Sequence, residues 1–186
     1  MDKYIFLDID GVIATPETVE EGFWGLTLSK QELLGKILFE TGAKIVLSSS
    51  WRHNDLKSTI DYMSEKGFLF CSHLVGVTLR LYKYIDREQK IHLSIPRGLE
   101  IDQWIDTHIH SNNGKDWSRK EIGKDFTYVI IDDDADMLLE HKDYFIHTKG
   151  MIGLTEIEAE RAVAILNFKT ELTDNLSNEA QNEAIV

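Results

Sequence analysis

Apolar residues in this chain fall into short unbroken runs, and several of these runs stop abruptly on acidic or hydroxyl residues. Tyr4-Ile5-Phe6-Leu7 runs into Asp8-Ile9-Asp10-Gly11-Val12, and Ala43-Lys44-Ile45-Val46-Leu47 into Ser48-Ser49-Ser50-Trp51-Arg52. Phe126-Thr127-Tyr128-Val129-Ile130-Ile131 ends on Asp132-Asp133-Asp134-Ala135-Asp136. Leu74–Leu79 and Asp143–His147 complete a set of five predicted strands. Runs that are apolar throughout, without alternation, suit strands covered on both faces, as in parallel sheets.

Helical spacing separates the strands. Leu33, Leu34, Ile37 and Leu38 form a stripe that closes at Gly42, with Ser29 as predicted N-cap and Glu32 three residues on as in a capping box. Asp55 to Lys66 reads as a second helix, and Arg97 opens a third with Ile101, Trp104, Ile105 and Ile109 on one stripe. The last helix opens at Leu154-Thr155-Glu156, with Thr155 as N-cap and Ile157, Ala162, Val163 and Leu166 at buried spacings. Three connections read as irregular: Ile13 to Ser29, where Phe23-Trp24 is expected to be a packing anchor, Arg80 to Pro96, and Ser111 to Lys124. From Lys169 the chain has no adequate apolar face, so a domain over 1–168 and a polar, disordered tail over 169–186 are expected. Strand and helix alternate throughout, which predicts an α/β fold with a doubly wound, mainly parallel five-stranded sheet. Right-handed crossovers bring the strand ends carrying Asp8, Ser48 and Asp132 to one edge.

At 186 residues the chain suits one domain. Its net charge of -12 argues against broad adhesion to nucleic acid or anionic membrane. Positive charge is nevertheless concentrated between Arg80 and Lys124, which is either a solvated face or a local track for a polyanion. One cysteine, Cys71, gives no internal disulfide, and neither a signal peptide nor a spanning segment is evident. A cytoplasmic protein without a membrane or an obligate protein partner is expected.

The strand ends carry the candidate chemistry. In open α/β sheets ligands bind outside the carboxyl ends of the strands. Carboxylates gathered there would repel one another unless they held a cation, and an all-oxygen donor set favours a hard ion such as Mg²⁺. Ser48, Ser49 and Arg52 are groups able to hold phosphate oxygens, beside a helix N-terminus that offers free N–H groups. Arg97 stands where a helix dipole disfavours a cation, so a local carboxylate or phosphate is expected as its partner. Asp136 is either a site acid or the N-cap of a short helical run, and Asp134 a solvated acid. His108 and His110, two apart on a helix, point in different directions and do not suit a shared metal.

These residues resemble the haloacid dehalogenase-like (HAD) superfamily of aspartate-nucleophile phosphatases. Asp8-Ile9-Asp10-Gly11-Val12 is similar to its first motif, DxDG(V/T); Ser48, with Ser49 as substitute, to its second; Arg97 to the basic third; and Asp132-Asp133 to the acidic fourth. Lys83 and Lys90 are alternatives for the third. Ser48 to Arg52, Arg97-Gly98-Leu99-Glu100-Ile101 with Trp104, and Gly153-Leu154-Thr155 resemble a small branch associated with nucleic-acid repair. The resemblance implies a Rossmannoid sheet with no large cap domain, because both cap-insertion intervals are short. It further implies a Mg²⁺-dependent phosphomonoesterase with Asp8 as nucleophile and Asp10 as acid and base. Ser48, Ser49, Arg97 and Arg52 would hold phosphate, and the metal ligands would come from Asp8, Asp10, Asp132, Asp133 and Asp136, with Asp132 also orienting Arg97. The implied partner is a phosphorylated substrate such as a nucleic-acid end. A small phosphoester, a phosphoprotein, transfer to an acceptor other than water, and a binding domain without turnover are the alternatives.

Overall fold

In a computed structural model the described residues are 1–16, 25–86, 88, 91–112, 117–118 and 121–167. In chain order the strands are β1 (Asp2–Leu7), β2 (Ala14–Thr15), β3 (Gly25–Leu26), β4 (Lys44–Leu47), β5 (Leu74–Val77), β6 (Tyr82–Asp86), β7 (Ile91–Ser94), β8 (Ser111–Asn112), β9 (Trp117–Ser118), β10 (Phe126–Asp132) and β11 (Phe145–His147). The helices are α1 (Leu28–Thr41), α2 (Leu56–Glu65), α3 (Arg97–His108) and α4 (156–167). The Phe23-Trp24 pair and the tail from 169 lie outside the described residues.

The central sheet has the order β11-β10-β1-β4-β5, and all of its pairs are parallel. Both faces are covered, which is why the strands read as unbroken apolar runs. Ile5, Leu7, Ile45, Leu47, Val129 and Ile131 face a core shared with Leu34 and Ile37 of α1, Met63 of α2 and Ala162 and Leu166 of α4. The alternate residues Phe6, Val46, Tyr128 and Ile130 face Ile101, Trp104 and Ile105 of α3. Trp104 meets Tyr4 and Phe6 edge to face at 5.5 Å, an arrangement aromatic rings prefer to a stacked sandwich.

Register fixes the functional edge. Leu7 stands opposite Ile131 on one side and Leu47 on the other, so the next residues, Asp132, Asp8 and Ser48, emerge side by side from β10, β1 and β4. The main chain continues the ladder, with Asp8 N donating to Ile131 O at 3.0 Å and Ser48 N to Leu7 O at 2.9 Å. Chain order reverses about β1, so Asp8 stands at a topological switch point.

Four elements differ from the sequence-based expectation. Arg80 to Pro96 contains the antiparallel β6–β7 pair, whose strands alternate polar and apolar and carry no glycine turn signal. Two-residue strands β8 and β9 pair within the predicted loop before Lys124. Thr27, not Ser29, is the N-cap of α1; its N–H is already held by Ile13 O at 2.8 Å, so β3 runs straight into the helix. The strand predicted to reach Leu79 stops at Val77, because the Thr78 and Leu79 carbonyls turn to the Arg52 guanidinium.

Arg52, expected to hold phosphate, is engaged as an internal brace. Its Nε donates to Thr78 O, Nη1 to Ser48 O and Ser49 O, and Nη2 to Leu79 O and to Glu100 Oε2 at 2.5 Å. Those are all five donors of a guanidinium, leaving none for a substrate. Glu100 Oε1 also accepts from Leu81 N at 2.7 Å, so this buried pair ties the exits of β4 and β5 to α3. Breaking such a pair by removing one partner strands a buried charge. Glu100→Ala is therefore expected to lower the unfolding free energy in urea by about 3–5 kcal/mol. A loss under about 1 kcal/mol, the worth of one ordinary hydrogen bond, would show that the brace is dispensable.

Candidate active site

Asp8 is buried at the exit of β1, and its Oδ1 accepts from Arg97 Nη1 at 2.8 Å. The same nitrogen donates to Ser48 O at 2.8 Å and stands 3.3 Å from Asp132 Oδ2. Arg97 thus has the carboxylate partners its helix position demands. Burial disfavours its charge, but Asp8, Asp132 and Asp136 outweigh that and raise its pKa further. Only Nη1 is engaged among the described residues, so Nε and Nη2 remain available to a ligand. The side chains of Lys83 and Lys90, the alternatives for this position, lie outside the described residues.

Asp132 is fully buried; its Oδ1 accepts from Asp134 N at 2.9 Å, while Oδ2 has no hydrogen bond. Burial first, then repulsion from Asp8, push its carboxyl well above the usual carboxylate range, against the attraction of Arg97. Asp133 is shifted the same way by burial and by Asp8 and Asp134. One oxygen each of Asp8, Asp132 and Asp133 lie within 4.8 Å of one another. Two glycines make room for the third acid. A Cβ on Gly11 would fall 2.2 Å from Asp133 Oδ2, one on Gly150 would fall 2.4 Å from it, and Gly11 also has φ +67°. No other residue type leaves that space. An unsatisfied buried carboxylate oxygen beside two further carboxylates is a donor set suited to a hard divalent cation such as Mg²⁺.

Asp10 stands beyond β1, half-buried, with Trp51 Nε1 donating to both carboxylate oxygens at 3.0 Å and Ser50 Oγ 3.3 Å from Oδ2. Burial raises its pKa against the Trp51 hydrogen bond, and the charge of Asp8 adds to the rise. A carboxyl that is fixed in place and shifted upward suits proton transfer. Trp51 lies within the Ser48 to Arg52 stretch, but hydrophobic patterning alone does not reveal its contact with Asp10. Its signal, an indole past a strand end, acquires meaning only from the turn in which Ser49 Oγ accepts from Trp51 N at 3.2 Å.

Ser48 is fully buried and its Oγ has no partner, leaving a free hydroxyl beside Asp8. Ser49 Oγ is engaged by Trp51 N. Asp136 lies apart from the carboxylate triplet: its Oδ2 accepts from Arg97 N at 2.9 Å, so it caps α3, not the run that follows it. A second cluster, Asp102, Glu140 and His141, borders a cavity of about 610 Å³ against Phe126 and Tyr128, away from the strand exits. His108 and His110 belong to neither cluster; His108 stacks on Trp104 at 4.5 Å.

Acids whose pKa rises on folding retain protons that the unfolded chain has lost. Stability therefore falls as pH rises from the unfolded carboxylate range, about 4, through the raised folded values. In EDTA the thermal midpoint should drop between pH 5 and pH 8, and Asp132→Asn should reduce that slope and raise the midpoint at pH 8. Each kcal/mol relieved corresponds to about 2–4 °C for a chain of this size. An unchanged slope in the variant would show that ionising the buried Asp132 carboxyl does not limit stability.

A protein-family model described as the HAD domain in Swiss Army Knife RNA repair proteins matches residues 4–159, more than half of the chain. No curated protein and no solved structure matches it.

Proposed function

Since the chain belongs to the family of HAD domains in Swiss Army Knife RNA repair proteins, a branch of a phosphatase-type hydrolase superfamily, we propose that it is a phosphomonoesterase acting on a terminal phosphate of a nucleic acid. The observation that carries this reading is the pairing of Asp8 and Asp10. Asp8 Oδ2 accepts no hydrogen bond among the described residues, so a lone pair is available for attack, while Asp10 is held by Trp51 with a raised pKa.

In the first step Asp8 attacks phosphorus, the bond to the substrate alcohol breaks, and that alcohol oxygen takes the proton of Asp10. In the second, water loses a proton to Asp10 and attacks the same phosphorus, releasing phosphate and restoring the Asp8 carboxylate. Arg97 Nε and Nη2 and Ser48 Oγ would bind the equatorial oxygens, over which the transition-state charge is spread. Asp8, Asp132 and Asp133 would hold Mg²⁺, which when bound offsets the repulsion between the Asp8 carboxylate and the phosphate.

Support for a large substrate comes from the fold. The 16–24 connection of the β2–β3 pair and the short β6–β7 pair occupy the two intervals where a cap would be inserted, and neither is long enough for a domain. A site without a cap domain excludes water poorly around a small metabolite and suits a phosphate displayed on something larger. Of the basic segment, Arg80 and Arg97 adjoin the site, whereas Arg87, Lys90, Lys115, Arg119 and Lys120 lie outside the described residues. No helix among the described residues is long and apolar enough to cross a membrane.

Phosphate release from 3′- and 5′-phosphorylated oligonucleotides, phosphopeptides and sugar phosphates, at fixed salt with and without Mg²⁺, is the test. Oligonucleotides should lead in kcat/KM, EDTA should abolish turnover, and Asp8→Asn should lower it by roughly 10⁴-fold or more. Near-wild-type turnover in Asp8→Asn would sink the assignment. A wide lead for sugar phosphates or phosphopeptides would overturn the substrate class.

A further inference from the structure

Beside Asp10 the surface opens into a cavity of about 410 Å³ bordered by Ser50, Trp51, His53, Asn54, Tyr62 and Arg80. A second cavity of about 300 Å³ shares Ser50 and Arg80 with it and reaches Arg97. The two are therefore neighbouring parts of one surface, with Arg80 at the junction. The relation to Asp10 sets what each part receives. Trp51 and Ser50, the two residues that hold the Asp10 carboxylate, are walls of the larger cavity. The leaving oxygen of a substrate has to reach Asp10, so the organic part attached to that oxygen falls on this side. The phosphate itself falls on the side of Asp8 and Arg97.

The wall chemistry narrows what that organic part is. Tyr62 lies edge-on to Trp51 at 6.0 Å and 4.8 Å from the exposed His53 ring, so three π systems line one pocket. Lys66 Nζ stands 5.4 Å from the Tyr62 ring centre and adds positive charge. Asn54, exposed at the rim, offers both a donor and an acceptor. Arg80 is a cation held in place: its Nη2 donates to the carbonyls of Ser50 and Arg52, while Nε and Nη1 have no partner among the described residues. A planar heteroaromatic ring with hydrogen-bonding edges, followed by a second negative charge, satisfies every one of these groups. A sugar phosphate has no π face, and a phosphoserine peptide has neither the ring nor an obligatory second anion. The volume is in the range of about 300–1,000 Å³ usual for small-ligand pockets.

We propose that this cavity is a subsite for the nucleoside bearing the scissile phosphate, its base against the Trp51–His53–Tyr62 wall and its next phosphodiester on Arg80. The proposal rests on the phosphomonoesterase reading for its orientation but is tested by binding, which needs no turnover. A fluorescein-labelled trinucleotide carrying a 3′- or a 5′-phosphate is titrated by anisotropy against protein in the Asp8→Asn background. Adding Arg80→Ala should weaken binding by about tenfold and lower the salt dependence, as for loss of one phosphate contact. Adding His53→Ala should weaken it by a similar factor, as for loss of a stacking surface, and an abasic trinucleotide should be insensitive to that change. Both residues are exposed, and an unchanged thermal midpoint checks that each variant folds. Unchanged affinity in both variants, or tighter binding of a phosphotyrosine peptide than of the trinucleotide, would overturn the subsite. Turnover of acetyl phosphate by the unmodified chain reports separately on the chemistry: its absence would count against the phosphomonoesterase reading, whereas the binding data would still decide the subsite.

Discussion

One guanidinium nitrogen, Nη1 of Arg97, lies within 3.3 Å of an Asp8 oxygen, an Asp132 oxygen and the Ser48 carbonyl, and so joins the exits of three adjacent strands. Parallel neighbours in a sheet stand about 4.8 Å apart, so acids at equivalent positions on β1 and β10 are forced into mutual repulsion. One buried cation meets part of that cost. Burial first, and then the charge of Asp8, raise the carboxyl pKa values of Asp132 and Asp133 despite Arg97. Carboxylates that are both desolvated and crowded are the physical reason the edge suits a divalent ion, which would supply positive charge there.

Two arginines at the same edge have opposite fates, and donor accounting separates them. Arg52 commits all five N–H groups to four carbonyls and Glu100, so it stiffens the turn after β4 and fixes α3. Arg97, anchored at the N-terminus of that same helix, commits only one nitrogen among the described residues. The buried brace thus helps set where the Arg97 guanidinium lies. The same turn carries Ser48, Ser50 and Trp51, so the Ser48 hydroxyl beside Asp8 and the groups holding Asp10 are positioned by a single braced segment.

Much of this architecture is legible in the order of the amino acids. Unbroken apolar runs mark β1, β4 and β10 because both sheet faces are covered, and the acids and serine after them are conspicuous because those runs end so sharply. Helix electrostatics alone give Arg97 a carboxylate partner. What is not legible depends on distant partners. Arg52 looks like a phosphate ligand until Glu100, forty-eight residues on, turns out to face it. Asp136, which reads as either a site acid or the cap of the run after it, is engaged instead by the N–H of Arg97 across the fold. Trp51 stands in a strand-end stretch whose contact with Asp10 only the fold reveals. The β6–β7 pair is hidden because its alternation is short and interrupted by charge, which reads as a connection.

We propose that the Asp8–Asp132–Asp133 cluster is completed by a hard divalent cation. A ligand bound only by the folded state stabilises it by RT ln(1 + [L]/Kd). Titrating Mg²⁺ at pH 8 and following the thermal midpoint measures this directly, with Ca²⁺ and Na⁺ at matched ionic strength as controls. A saturable rise with Mg²⁺ in the unmodified chain, lost in Asp133→Asn, is the predicted result. An equal rise in both proteins, or none in either, would contradict it.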